Sequence, residues 1–123
     1  MRYLDEKQIL LIHSMLIDQT GGAHGLRDKN RLHSVVSAIQ QPYYESKFEK
    51  AALLARNIIQ DHPFVDGNKR TGITSAIVFL EMQGIKLQFK IGEIEDYAVA
   101  IAVENFDVAE IAEWLEAHAK KRN

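Results

Sequence analysis

The chain has 123 residues with 46% hydrophobic and 26% charged side chains, the balance of an ordinary globular protein and long enough for one domain with one core. It contains no cysteine, which excludes disulfides and thiolate metal sites and fits a reducing cytoplasm. A net charge of −2 argues against a general DNA or RNA binder. No run of about 18 apolar residues is present, so no membrane span is expected, and Met1 to Asp5 lacks the start of a secretory leader. The basic tail Lys120-Lys121-Arg122 reads as a solvated helix end rather than a binding arm.

The periodicity is helical almost throughout and predicts an all-α bundle of about six helices, a single domain over 1–123. Asp5 and Gln8 have capping-box spacing, opening a helix with Ile9, Ile12 and Leu16 inward that Gly21-Gly22 ends. Asp28 caps a second helix carrying Leu32, Val35, Val36 and Ile39, ended before Pro42. Ser46 and Glu49 suggest another capping box, followed by the apolar stripe Phe48, Ala51, Ala52, Ala55, Ile58 and Ile59. A fourth helix starts near Asn68, with Ile73, Ala76, Ile77 and Leu80 inward and Gly84 just past its end. Ile85, Leu87 and Phe89 alternate with polar residues, predicting a short extended piece. Two more helices run through Ile94, Tyr97, Ala98 and Ile101, and from Asp107 through Val108, Ile111, Ala112 and Leu115.

Between the third and fourth helices stands His62-Pro63-Phe64-Val65-Asp66-Gly67-Asn68-Lys69-Arg70-Thr71-Gly72. His62 is either a general base, since an imidazole can take a proton near neutral pH, or a histidine bonded to the last carbonyls of its helix. Phe64 and Val65 read as packing residues. Asp66 is either a Mg²⁺ ligand or the N-cap of the next helix. Lys69 and Arg70 oppose the positive end of that helix, an arrangement that a bound anion would offset. Gly67 lets backbone approach the anion, and Asn68 adds an amide.

His62 to Arg70 resembles the active-site motif of the Fic/Doc superfamily, His-Pro-Phe-x-Asp/Glu-Gly-Asn-Gly-Arg-x-x-Arg. It matches at His62, Pro63, Phe64, Asp66, Gly67, Asn68 and Arg70. Lys69 stands in place of the second glycine and Ile73 in place of the last arginine, both as in Doc-like (death-on-curing) members. Phage-type members carry alanine at the position of Gly67, so glycine there should leave more room. Gly21-Gly22 and Gly25-Leu26-Arg27-Asp28 extend the likeness upstream.

The resemblance implies a toxin of a type II toxin–antitoxin module, acting in the cytoplasm. His62 would be the base and Asp66 the Mg²⁺ ligand. Gly67, Asn68, Lys69 and Arg70 would line the nucleotide phosphates. The lysine implies transfer of the γ-phosphate of ATP to a protein Ser/Thr hydroxyl, with translation elongation factor Tu as target. The alternatives are Fic-type transfer of AMP and a catalytically silent module that binds its antitoxin. Gln40-Gln41-Pro42-Tyr43-Tyr44 is either the family's flap over the site or a simple proline turn. The self-inhibitory motif of some Fic enzymes has no match here, so a separate Phd-type antitoxin is implied.

Overall fold

The computed structural model describes residues 1–120 and contains, among them, six α-helices: α1 (Glu6–Thr20), α2 (Lys29–Ala38), α3 (Lys47–Asp61), α4 (Asn68–Met82), α5 (Glu93–Glu104) and α6 (Val108–Ala117). Their starts follow local chemistry. Asp5 accepts from the Gln8 N–H while Gln8 bonds back to the Asp5 N–H, a complete capping box. Asp28 caps α2 through the N–H groups of Asn30 and Arg31, and Asp107 caps α6 through that of Glu110. Ser46 accepts from the Glu49 N–H, but Glu49 does not return the bond, so that box is only half formed.

α3 and α4 are the centre of the molecule. α2 and α6 pack on α3, α1 packs on α4, and α5 leans on both central helices. The core is filled from every element by side chains such as Ile9, Leu32, Leu54, Ile58, Ile59, Phe79, Leu80, Ile101 and Leu115. Gly72 allows the two central helices to touch, because a Cβ there would stand 2.7 Å from Ile59 Cγ1 and 2.9 Å from the Ala55 carbonyl.

The segment after Gly84 is extended only in part. It makes a single antiparallel bridge, Leu87 with Ala119, flanked by Gln88 N–H to His118 O and Lys120 N–H to Lys86 O. Lys120 is therefore not a helix end, since α6 stops at Ala117; Lys121 and Arg122 lie outside the described residues. The turn after α2 is tied down by a buried cation. Lys50, 5% exposed, donates to the carbonyls of Ile39 and Gln41 at 2.6 and 3.1 Å.

No helix among the described residues is long and apolar enough to cross a membrane.

Candidate active site

The loop 62–67 joins the two central helices, and nearly every residue in it has a fixed task. His62 ends α3 in the left-handed conformation, φ 52° and ψ 59°, with its backbone N–H bonded to Ile58 O. Arg31 steadies that end by donating to the Asp61 carbonyl at 2.6 Å. The His62 side chain is exposed and hydrogen-bonds to nothing among the described residues, so the helix-capping alternative does not hold. Phe64 is buried and pins the loop, its ring lying 3.9 Å from that of His13 with 6° between their planes. Val65 departs from the packing role expected of it. It is 56% exposed, because the strand-like pairing of this loop turns its side chain outward, over the cavity.

Asp66 is not the N-cap of α4. Gly67 takes that position at φ 75°, and no side chain caps the helix. The carboxylate instead accepts from the N–H of Ala23 at 3.1 Å and of Gly67 at 2.8 Å. These two N–H donors, the Ala23 bond first, hold its pKa below the usual carboxylate value against the effect of burial, with smaller help from Arg70 and His13. It is a fixed anion with a lone pair to spare on each oxygen. Among the described residues no three His, Cys, Asp or Glu side chains gather to hold a metal by themselves. The donor set fits Mg²⁺ shared between one carboxylate, phosphate oxygens and water.

Asn68 departs from the phosphate-facing amide expected of it. It is 8% exposed, its Oδ1 accepting from Phe64 N–H at 2.9 Å and its Nδ2 donating to Phe64 O at 3.0 Å. The side chain braces the loop, with one Nδ2–H and the backbone N–H left uncommitted among the described residues. Lys69 and Arg70 are exposed at the start of α4, where no acidic residue occupies the first turn. Neither makes a salt bridge among the described residues. Arg70 is held by Thr20, donating to its hydroxyl at 2.6 Å. Gly67 does not enlarge the cavity, since its missing side chain would meet Ile17 Cδ1 of α1 at 2.9 Å.

These groups face a cavity of about 810 Å³ between α1, α4 and α5. His62, Asp66, Gly67, Asn68, Lys69 and Arg70 line one side, with Leu16, Ile73, Ile94, Ala98 and Val99 completing the walls.

The strap beside this cavity is residues 21–28, not 40–44. Leu26 bridges Phe64, Val65 N–H donates to Gly25 O, and the N–H groups of Arg27 and Asp28 both donate to Pro63 O. Gln41, Tyr43 and Tyr44 line a separate groove with His33 and Leu53. The reason is distance: they precede α3 and His62 follows it, and fifteen helical residues span about 22 Å.

Sequence reasoning missed His13, Thr20 and Ala23. A signal existed for the first two, polar residues seven apart and so on one face of α1, interrupting an otherwise apolar stripe.

Residues 3–80 match the Fic/DOC family, and the chain belongs to that family. Among its relatives, the protein named Protein kinase doc from Escherichia phage P1 is 29% identical over 119 residues, covering 94% of each chain. Toxin Doc from Mycolicibacterium smegmatis (strain ATCC 700084 / mc(2)155) is 32% identical over 124 residues, covering 95% of this chain and 93% of that protein.

Proposed function

We propose that this protein is the toxin of a toxin–antitoxin module and transfers the γ-phosphate of ATP to a Ser/Thr hydroxyl of a protein target. The observation that carries the reading is the meeting of His62, an imidazole with no hydrogen bond among the described residues, with Lys69 and Arg70, two cations without a salt bridge among those residues, at a helix start that no side chain caps. Full-length similarity to relatives named as a kinase and a toxin supports it.

In this reading the phosphates rest on the first N–H groups of α4 and on the side chains of Lys69 and Arg70. Mg²⁺ on Asp66 would neutralise phosphate charge. His62 takes the proton of the target hydroxyl as its oxygen bonds to the γ-phosphorus. The bond from that phosphorus to the β-phosphate bridging oxygen breaks, and ADP leaves. Little beyond positioning and charge is required of the protein in such a transfer. The site's resemblance to Doc-type enzymes makes elongation factor Tu the target to test first, in the cytoplasm, with a Phd-type antitoxin as the inhibiting partner.

The experiment combines purified protein, Mg²⁺ and bacterial lysate with ATP labelled at either the γ- or the α-phosphate. A protein labelled only from the γ position is the expected result, and its mass identifies the target. Label from the α position would replace phosphate transfer by AMP transfer. Absence of both, with His62→Ala indistinguishable from the parent, would leave an antitoxin-binding module. Lys69→Gly is expected to move label toward the α position; unchanged γ transfer in that variant would remove Lys69 as the residue that selects the reaction.

A further inference from the structure

One face of α1 is fitted to the motif loop. His13, Ile17 and Thr20 lie at i, i+4 and i+7, a single stripe two turns long. His13 meets the Asp66 backbone, Ile17 fills the space beside Gly67, and Thr20 holds Arg70. His13 is the unusual member. A histidine 3% exposed in an apolar interface is costly unless hydrogen-bonded, and its ring Nε2 is 2.7 Å from the Asp66 carbonyl oxygen. A carbonyl can only accept, so Nε2 carries the proton and donates.

That bond lies where α4 begins, beside the N-cap Gly67 at φ 75°. One residue before Gly67, the Asp66 carbonyl would be the helical acceptor for the Arg70 N–H. The first bond of that kind is instead Thr71 N–H to Gly67 O, at 2.9 Å. His13 occupies the Asp66 carbonyl and fixes the peptide between Asp66 and Gly67. The N–H of the same peptide donates to Asp66 Oδ1 at 2.8 Å, while Ala23 N–H holds Oδ2 at 3.1 Å. Asp66 is therefore gripped by its backbone from α1 and by its carboxylate from the strap and from Gly67. The His13 ring is itself clamped against Phe64, so it cannot turn away without opening the core.

We infer that His13 is a positioning residue of the site. It holds the Asp66 peptide so that the carboxylate lines the cavity and the first N–H groups of α4 stay open to an anion. The consequence for turnover rests on the phosphate-transfer reading above; the consequence for geometry does not.

The test compares His13→Gln, whose amide can donate from about the reach of Nε2, with His13→Leu, which cannot donate. Folding is checked by thermal unfolding. Amide hydrogen exchange is then measured at Ala23 and Gly67, the two donors to Asp66. In the γ-label assay, kcat, the KM for ATP and the half-saturating Mg²⁺ concentration are measured. The Leu variant is expected to exchange at least about tenfold faster at both amides and to need more Mg²⁺. Its kcat should fall about 10- to 100-fold, the range seen when a residue supporting a metal ligand is lost. The Gln variant should recover most of each property. Unchanged exchange in a folded Leu variant, or a Gln variant as impaired as Leu, overturns the inference. If Leu does not fold, His13→Asn replaces it, its amide one methylene short of Asp66, with the same two outcomes. A parent protein that transfers no phosphate would sink the functional reading, and the exchange comparison would still decide the role of His13.

Discussion

Gly22 lies so close to Asp66 that a Cβ on the glycine would stand 2.7 Å from the carboxylate Oδ2. Its φ of +111° is also one that a side chain rarely tolerates. Gly21, its neighbour, has φ +87° but open space where a Cβ would be. The pair separates backbone strain from displacement of Asp66. Both alanine variants are expected to lose about 1–2 kcal/mol of stability from the unfavourable φ. Only Gly22→Ala should also raise the Mg²⁺ concentration at which the proposed phosphate transfer is half-saturated. Equal Mg²⁺ dependence in the two variants, measured alongside thermal unfolding, would show that the strap does not hold Asp66.

Asn68 makes a sharper claim about stability. Its amide satisfies both the N–H and the C=O of Phe64 within a buried loop. Asn68→Ala strands those two backbone groups and is expected to cost about 2–6 kcal/mol, from about 1–3 kcal/mol for each buried group left unpaired. Asn68→Asp keeps the acceptor for Phe64 N–H but puts a carboxylate against Phe64 O, so it should be no milder than alanine. Chemical denaturation measures both. A loss below about 0.5 kcal/mol for Asn68→Ala, the scatter of ordinary surface substitutions, would contradict the brace.

The contrast between Asn68 and the helix caps shows where the sequence was legible. Asp5, Asp28, Ser46 and Asp107 bond to N–H groups two or three residues away, so spacing alone locates the helix starts. The motif from His62 to Arg70 is contiguous, and its residues do meet at one cavity. Asn68 is the right residue type at the right place, yet its amide turns into the loop, a choice set by the burial of Phe64. The strap bonds and the partner of His13 were not legible because each joins groups 40 or more positions apart through at least one backbone atom: Ala23 N–H to the Asp66 carboxylate, Val65 N–H to the Gly25 carbonyl, His13 to the Asp66 carbonyl. Every residue offers a carbonyl, so nothing in the partner's identity marks such a bond.

His62 combines exposure with an unfavourable backbone. It occupies the left-handed region just before a proline, where glycine would be at ease. His62→Gly is therefore expected to be more stable than the parent by about 0.5–1 kcal/mol, while losing the proposed phosphate transfer altogether. His62→Ala should be equally inactive without the gain in stability. Antitoxin binding should survive in both. A toxic, transfer-competent His62→Ala protein would remove His62 as the base, and a His62→Gly protein less stable than the parent would mean that the side chain supports the fold.

The contact between His118 and Glu93 gives the fold a dependence on pH. Nδ1 of His118 faces the Trp114 carbonyl at 2.7 Å and Nε2 faces the Glu93 carboxylate at 2.8 Å. Both partners accept, so only the imidazolium can donate to both. Burial pulls the His118 pKa down, but the Trp114 carbonyl and Glu93 outweigh it and the net shift is upward from 6.5. Glu93 is held below its ordinary 4.5, first by the Lys90 N–H and then by His118. A raised histidine contributes stability that is complete below 6.5 and lost as pH rises through the folded value; a lowered carboxylate contributes above 4.5 and is lost as pH falls. The pair is thus most stabilising between those two values and weakens toward alkaline pH. Thermal unfolding of the parent and of His118→Gln, followed from about pH 5 to pH 9, should show a gap that narrows as pH rises above the ordinary histidine pKa. A gap that stays constant would rule the contact out as its source. Glu93 opens α5, and the residues that follow it, Ile94, Glu95, Ala98 and Val99, form one wall of the cavity. Loss of the His118 contact should therefore loosen that wall first, and amide exchange at the start of α5 should quicken with pH in the parent, beyond the intrinsic base catalysis of exchange, but not in His118→Gln.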